Sequence, residues 1–180
     1  MAIKNKTRYA ILGVLSLMSG SGYDIKKFCD KTIAHFWNEN FGHIYPVLAQ
    51  LEEEGLISKA ASSKDERRKE YSITAKGREE FCKWMMEPIE FQPARSELLL
   101  KVSFGSNIPK ERVIEMIKLV KQRYESRLEE YRAMEESFLK NKKESEKPES
   151  VYWIAPLRYG IIATEAAIKW CEETISRLNG

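Results

Sequence analysis

The sequence predicts a mainly α-helical protein with one small two-stranded sheet: short helices and a β-hairpin in its N-terminal half, longer helices after it. Three observations predict this. Apolar residues recur at helical spacing in most segments between Thr7 and Leu178. Only two short runs, Leu56–Lys59 and Lys69–Ile73, read as extended. Pro88 and Pro93 fall in one short polar stretch near the middle, which resists both helix and central strand and divides the chain into residues 1–87 and 88–180. With 180 residues, 43% of them hydrophobic, the chain can bury about 70% of its unfolded surface and needs neither metal nor disulfide to hold its core.

The first helix runs from Thr7 to Met18, with Ala10, Ile11, Val14, Leu15 and Met18 at helical spacing, and Ser19–Gly22 stops it. Lys4, Lys6 and Arg8 ahead of this apolar run imitate a secretory signal, but the run reads better as a core helix. Tyr23 to Thr32 forms a second, partly basic helix behind Ser21 or Gly22 as N-cap, with Ile25, Phe28 and Cys29 on one face. Ile44, Val47, Leu48 and Leu51 stand at i, i+3, i+4 and i+7 of a third helix that Gly55 ends. Pro46 is expected in its first turn, where the missing N–H has no intrahelical partner to lose.

The two extended runs flank a polar loop, residues 60–68, and so read as a hairpin. Thr74 then caps a fourth helix in which Phe81, Trp84 and Met85 share a face. Beyond the boundary come a short helix, Ser96–Phe104, closed by Gly105, and a long one from Pro109 to about Leu139. The long helix carries an approximate seam of Val113, Met116, Val120, Tyr124, Leu128, Tyr131 and Phe138. Lys140–Ser150 reads as a charged link. A last helix, from about Pro156 to Leu178, sets Leu157, Ile161, Thr164, Ile168, Cys171, Ile175 and Leu178 at alternating steps of four and three. Such a seam must bury its stripe against the long helix, a second subunit or both, and dimerisation is the economical answer.

The formal net charge is only +3, too small for a cloud that binds any polyanion. Its distribution is uneven: fourteen basic and eleven acidic residues precede Glu87, against sixteen of each from there on. Cys29, Cys82 and Cys171 are odd in number, widely spaced and without nearby His partners, which suggests no disulfide framework, no zinc site and a reducing cytoplasm. No apolar stretch approaches the roughly 20 residues of a membrane span. An enzyme finds little support, because there are two histidines, no His-Glu-x-x-His, no phosphate-cradling glycine loop and no serine elbow. No cofactor is expected.

Three short helices, a hairpin and a further helix, in that order, are the parts of a winged helix-turn-helix, whose third helix enters the major groove. With the apolar stripe of that helix turned inward, His43, Tyr45, Pro46, Ala49, Gln50 and Glu53 lie outward, and Gln can pair bidentately with adenine. The hairpin tip offers Lys64, Arg67, Arg68 and Lys69 to phosphates or the minor groove, and Lys4 and Lys6 form a candidate N-terminal arm. A solvated helix face, a charged tip kept for solubility and a frayed terminus are the alternative readings. Trp37, Trp84, Tyr152 and Trp153 are candidate lining for an apolar effector cavity between the domains, or simply core.

These residues resemble a known family. Ala10-Ile11-Leu12-Gly13-Val14-Leu15, Gly22-Tyr23-Asp24-Ile25, Phe36-Trp37, Gly42-His43-Ile44-Tyr45-Pro46-Val47-Leu48 and Leu51-Glu52-Glu53-Glu54-Gly55-Leu56-Ile57 look like PadR-type transcriptional regulators. So do Arg68-Lys69-Glu70-Tyr71-Ser72-Ile73-Thr74-Ala75-Lys76-Gly77 and Arg95-Ser96-Glu97-Leu98-Leu99-Leu100-Lys101-Val102-Ser103-Phe104, and the helical tail is similar to that of the larger PadR subgroup. The resemblance implies a homodimeric repressor on an inverted-repeat operator in double-stranded DNA, released in some members by a small phenolic or hydrophobic effector. Tyr23 and Tyr45 match family positions near the DNA backbone. His43 departs from the frequent Gln, Thr or Ser, and Asp65 and Glu66 dilute the basic wing. A protein-binding adaptor built on the same fold is the competing class; sequence-selective, salt-sensitive DNA binding would separate the two.

Overall fold

Helix α1, Thr7–Leu17, turns Tyr9, Ile11, Leu12, Val14 and Leu15 into the centre of an N-terminal unit that spans Met1–Glu90. The computed structural model describes residues 6–34, 36–37, 40–59, 69–90 and 95–180. After α1 the chain extends, and Gly20 exchanges two backbone hydrogen bonds of 3.0 Å with Tyr71, so that the link between the first two helices lies beside the hairpin. Ser21 then starts α2, Gly22–Thr32: its hydroxyl accepts from the Asp24 N–H, and the Asp24 carboxylate accepts from the Ser21 N–H in return.

Helix α3, Phe41–Glu53, is capped by Asn40, whose side-chain oxygen accepts from the His43 N–H at 3.1 Å. Its stripe Ile44, Val47, Leu48 and Leu51 is buried, and each such side chain contributes about 1.5–3 kcal/mol of transfer free energy. Pro46 is the sixth residue of α3 and not in its first turn, because the Asn40 cap starts the helix earlier than the proline does. Its missing N–H leaves the carbonyl of Gly42 without the usual partner, on an exposed turn where water can serve. Gly55 ends the segment at φ +71°, a conformation that favours glycine.

Strands β1, Ile57–Lys59, and β2, Tyr71–Ile73, pair antiparallel with Ile57 opposite Ile73 and Lys59 opposite Tyr71. Thr74 caps α4, Ala75–Met86, by accepting from the Gly77 N–H at 3.0 Å, while its hydroxyl donates to the Gly55 carbonyl at 2.8 Å. From α4, Phe81 and Trp84 pack on the core, and Trp84 stacks on Tyr9 with ring centres 4.4 Å apart. Met85 does not join them; it is exposed.

In the second unit, Phe91–Gly180, helices are the only regular structure among the described residues. Ser96 caps α5, Glu97–Ser103, and a 3-10 turn at Gly105–Asn107 leads to α6, Lys110–Lys140, which at about 1.5 Å per residue is roughly 46 Å long. The charged link contains a short helix, α7, Lys142–Ser145. Helix α8, Ser150–Asn179, begins six residues before Pro156, so this proline too is interior. The helix starts early because Ile154 packs on the Leu128, Tyr131, Leu157 and Ile161 cluster. The carbonyl of Tyr152, which Pro156 leaves unpaired, belongs to an exposed residue.

Helices α6 and α8 pack antiparallel: the start of α6 (Val113, Ile117) meets the end of α8 (Cys171, Ile175, Leu178), and Leu128 and Tyr131 meet Leu157 and Ile161. Lys121–Glu172, Arg132–Glu165 and Arg158–Glu135 bridge the pair along its sides. The long helix of the same chain is thus one partner of the stripe, as the sequence allowed. Leu157, Ile161, Thr164 and Cys171 are buried and Ile168, Ile175 and Leu178 half-buried within a single chain, where the stripe meets its own long helix. Cys29 and Cys171 are buried in different units, and Cys82 is exposed on α4. Burial pushes the Cys171 thiol up.

Candidate nucleic-acid interface

The second and third helices place two tyrosines side by side. The capping box at Ser21 sets the entry of α2, so that Tyr23 follows Gly22 at the surface, 58% exposed; Tyr45, on the outward face of α3, is 52% exposed. Gly22 permits this approach, since a Cβ there would stand 2.7 Å from Tyr45 Cε1. Phe41 stacks on Tyr45 with ring centres 6.0 Å apart, and the Lys26 ammonium lies 5.8 Å from the centre of the Phe41 ring.

Tyr23 and Tyr45 share a concave surface of about 620 Å³ with Lys59 and Lys69 from the hairpin, and with Tyr71 at its floor. Burial raises the Tyr71 hydroxyl above the usual tyrosine range, so it stays a neutral donor. Glu52 pairs with Lys59 at 2.7 Å, and this hydrogen bond holds the ammonium protonated to higher pH than usual. A wall with two phenols and two ammonium groups can donate hydrogen bonds to phosphate oxygens along a duplex backbone.

Of the residues singled out from the sequence, Tyr23, Tyr45 and Lys69 are thus brought together. His43, Pro46 and Gln50 line the same outward face of α3 and are exposed. Lys6 pairs with Glu90 at 3.4 Å. Lys4, Lys64, Arg67 and Arg68 lie outside the described residues. Lys59 was missed by sequence reasoning. The only signal for it was a lone basic residue at a strand end, seven positions after a glutamate on the preceding helix.

The four aromatics expected around an effector divide between the units. Trp37 is half-buried after α2, and Trp84 belongs to the N-terminal core. Tyr152 and Trp153 are exposed on α8, where Trp153 meets Phe138 edge-on at 6.5 Å and carries the Lys147 ammonium over its ring. Among the described residues no group of three or more acidic, His or Cys side chains is placed to hold a metal ion, and no helix is long and apolar enough to cross a membrane.

Comparison with known proteins yields consistent relatives. The family description "Transcriptional regulator PadR-like family" matches residues 11–83, and "Virulence activator alpha C-term" matches residues 94–179. The PadR-like transcriptional regulator BC1756 from Bacillus cereus is 30% identical; the match covers 96% of this chain and 97% of that one, with a TM-score of 0.77. The negative transcriptional regulator PadR of Bacillus subtilis is 28% identical over 136 residues, 73% of this chain and 74% of that protein. Its crystal structures in complex with operator DNA and with p-coumaric acid superpose with TM-scores of 0.83 and 0.81 at 22% identity, each covering 96% of this chain and 98% of the other.

Proposed function

The chain belongs to the PadR-like family of transcriptional regulators, and from that premise we propose that it is a cytoplasmic, homodimeric repressor that grips an inverted-repeat operator through α3 and the tyrosine–lysine groove. It is a regulator and not an enzyme. The observation that carries the proposal is the convergence of Tyr23, Tyr45, Lys59 and Lys69 beside the exposed face of α3, a donor-rich wall next to an amide that can read a base edge. Repression is supported by the B. subtilis relative, which is named a negative regulator, and operator binding by the fold shared with its DNA complex.

The organisation into a DNA-binding part, residues 1–87, and a dimerisation part, residues 88–180, belongs to the same proposal. With the α8 seam occupied by α6, the dimer uses the opposite face of α8. There Tyr152, Ala155, Tyr159, Ile162 and Ala166, all exposed, again follow steps of three and four. A small phenolic or otherwise hydrophobic effector releases the DNA; the B. subtilis relative was crystallised with such a phenolic acid.

The test is selection of bound duplexes from a random library at physiological salt, followed by sequencing. An enriched palindrome with half-sites about 10 bp, or a multiple, apart supports a dimeric regulator whose two α3 helices enter successive major-groove faces. Affinity for the enriched duplex should fall steeply as salt rises. A folded dimer that enriches nothing would instead be the protein-binding adaptor.

A further inference from the structure

Gln50, on the outward face of α3, has its amide engaged. Its Nε2 donates to Oε1 of Glu54 at 2.8 Å, one helical turn further on. Glu54 is held from the other side by Arg8 of α1, which donates through Nη2 to Oε2 at 2.5 Å and through Nη1 to Oε1 at 3.4 Å. Lys76 of α4 donates to the Glu54 backbone carbonyl at 2.8 Å, so the end of α3 is fastened to α1 and α4 at once. Arg8 has little freedom to let go. Its guanidinium lies 5.7 Å from the centre of the Tyr9 ring, and its Nε is buried with no hydrogen-bond partner among the described residues, so the Glu54 carboxylate is its compensation there.

A carboxylate only accepts hydrogen bonds. A glutamine amide paired with it must turn its nitrogen inward, and then offers outward its carbonyl oxygen and one remaining N–H. One acceptor beside one donor complements the N6 amino group and N7 of adenine. The reversed amide would offer two outward donors, which suit the O6 and N7 acceptors of guanine, but it would set its oxygen against the oxygens of Glu54.

We propose that Glu54, held by Arg8, is a positioning residue that locks Gln50 in the adenine-reading orientation and so sets adenine over guanine at one position of each half-site. The proposal rests on the reading of α3 as the helix that enters the groove.

The experiment compares library selections by the full-length wild type, Gln50→Ala, Glu54→Gln and the double variant, with melting curves alongside. Glutamine at 54 can both donate and accept, so either orientation of Gln50 finds a partner. The expected result is that E54Q retains the inverted repeat while its adenine-over-guanine preference at that position falls from about tenfold or more to within about twofold. Q50A loses the same preference, and adding E54Q to it changes nothing further. If E54Q melts below the assay temperature, Arg8→Lys, which keeps the cation but loses the fork, should show the same relaxation.

An E54Q preference identical to wild type at every position overturns the proposal, even if affinity drops uniformly, because uniform loss marks a merely structural role. A preference change in E54Q that persists on the Q50A background overturns it too. No enrichment by the wild type removes the reading of α3 itself, and this proposal with it.

Discussion

The ring of Tyr45 rests on the backbone of Gly22: a Cβ on residue 22 would stand 2.7 Å from Cε1 and 3.1 Å from Cζ of that ring. The severe clash falls on a side chain that is 52% exposed and can swing aside, while the buried Leu48, whose Cδ1 would stand 3.3 Å away, need give only a few tenths of an ångström. Gly22→Ala should therefore leave the melting temperature within a few degrees of wild type while it displaces Tyr45 from the groove. Fluorescence anisotropy with the selected duplex should show operator affinity reduced by about fivefold or more, the loss of one good polar contact. Unchanged affinity would remove Tyr45 from the contact surface.

Gly77 makes the opposite case. Its missing Cβ leaves room for the Leu56 carbonyl oxygen, which an added methyl would meet at 2.0 Å, and Ile73 Cγ1 would be 2.9 Å away. Backbone at the junction of hairpin and α4 cannot swing aside as a surface ring does. Gly77→Ala should cost at least about 2 kcal/mol, read as a lowered urea midpoint at unchanged slope.

The Arg8 hydrogen bond holds the Glu54 carboxyl below the usual glutamate range, with the Gln50 amide adding to the effect against the cost of burial. A carboxyl whose folded-state pKa is depressed adds stability at neutral pH, and that stability is lost as pH falls from the ordinary glutamate value through the lowered one. Wild type should thus lose more stability than Glu54→Gln between neutral pH and the acid side of that window. Denaturation midpoints at several pH values check this, and parallel curves for the two proteins would contradict it.

Neighbouring positions on α8 should behave differently. Ile161 is 2% exposed against α6, whereas Ile162 is 56% exposed on the opposite face. Ile161→Glu should unfold the C-terminal unit, because an unpaired charge enters its core. Ile162→Glu should keep the helical circular dichroism and halve the mass seen by sedimentation. A dimeric Ile162→Glu protein would move the subunit interface off that face.

Legibility in the sequence followed the range of each signal. The α3 stripe, Gly55 as its stop and Thr74 as the next cap were all readable, because each depends on residues a few positions apart. The two prolines misled for a common reason: a proline inside a helix and one at its start look alike until the cap upstream is known. Asn40 and the burial of Ile154 decided those cases. The heptad steps of α8 said that a stripe is buried but not by what, and α6 of the same chain was the answer. The Arg8–Glu54–Gln50 chain links residues 46 positions apart, and the pairing of Glu52 with Lys59 needs the turn between helix and strand. The first leaves no local trace, and the second only a lone basic residue at a strand end.

The three cysteines give this protein a built-in set of clocks. Cys82 is open on α4, whereas Cys29 is sealed in the N-terminal core and Cys171 in the α6–α8 seam. A maleimide should therefore take Cys82 at once and reach each of the others only when the unit around it opens. Peptide-resolved labelling in rising denaturant then times the opening of the DNA-facing unit and of the helix pair separately, in one sample of unmutated protein.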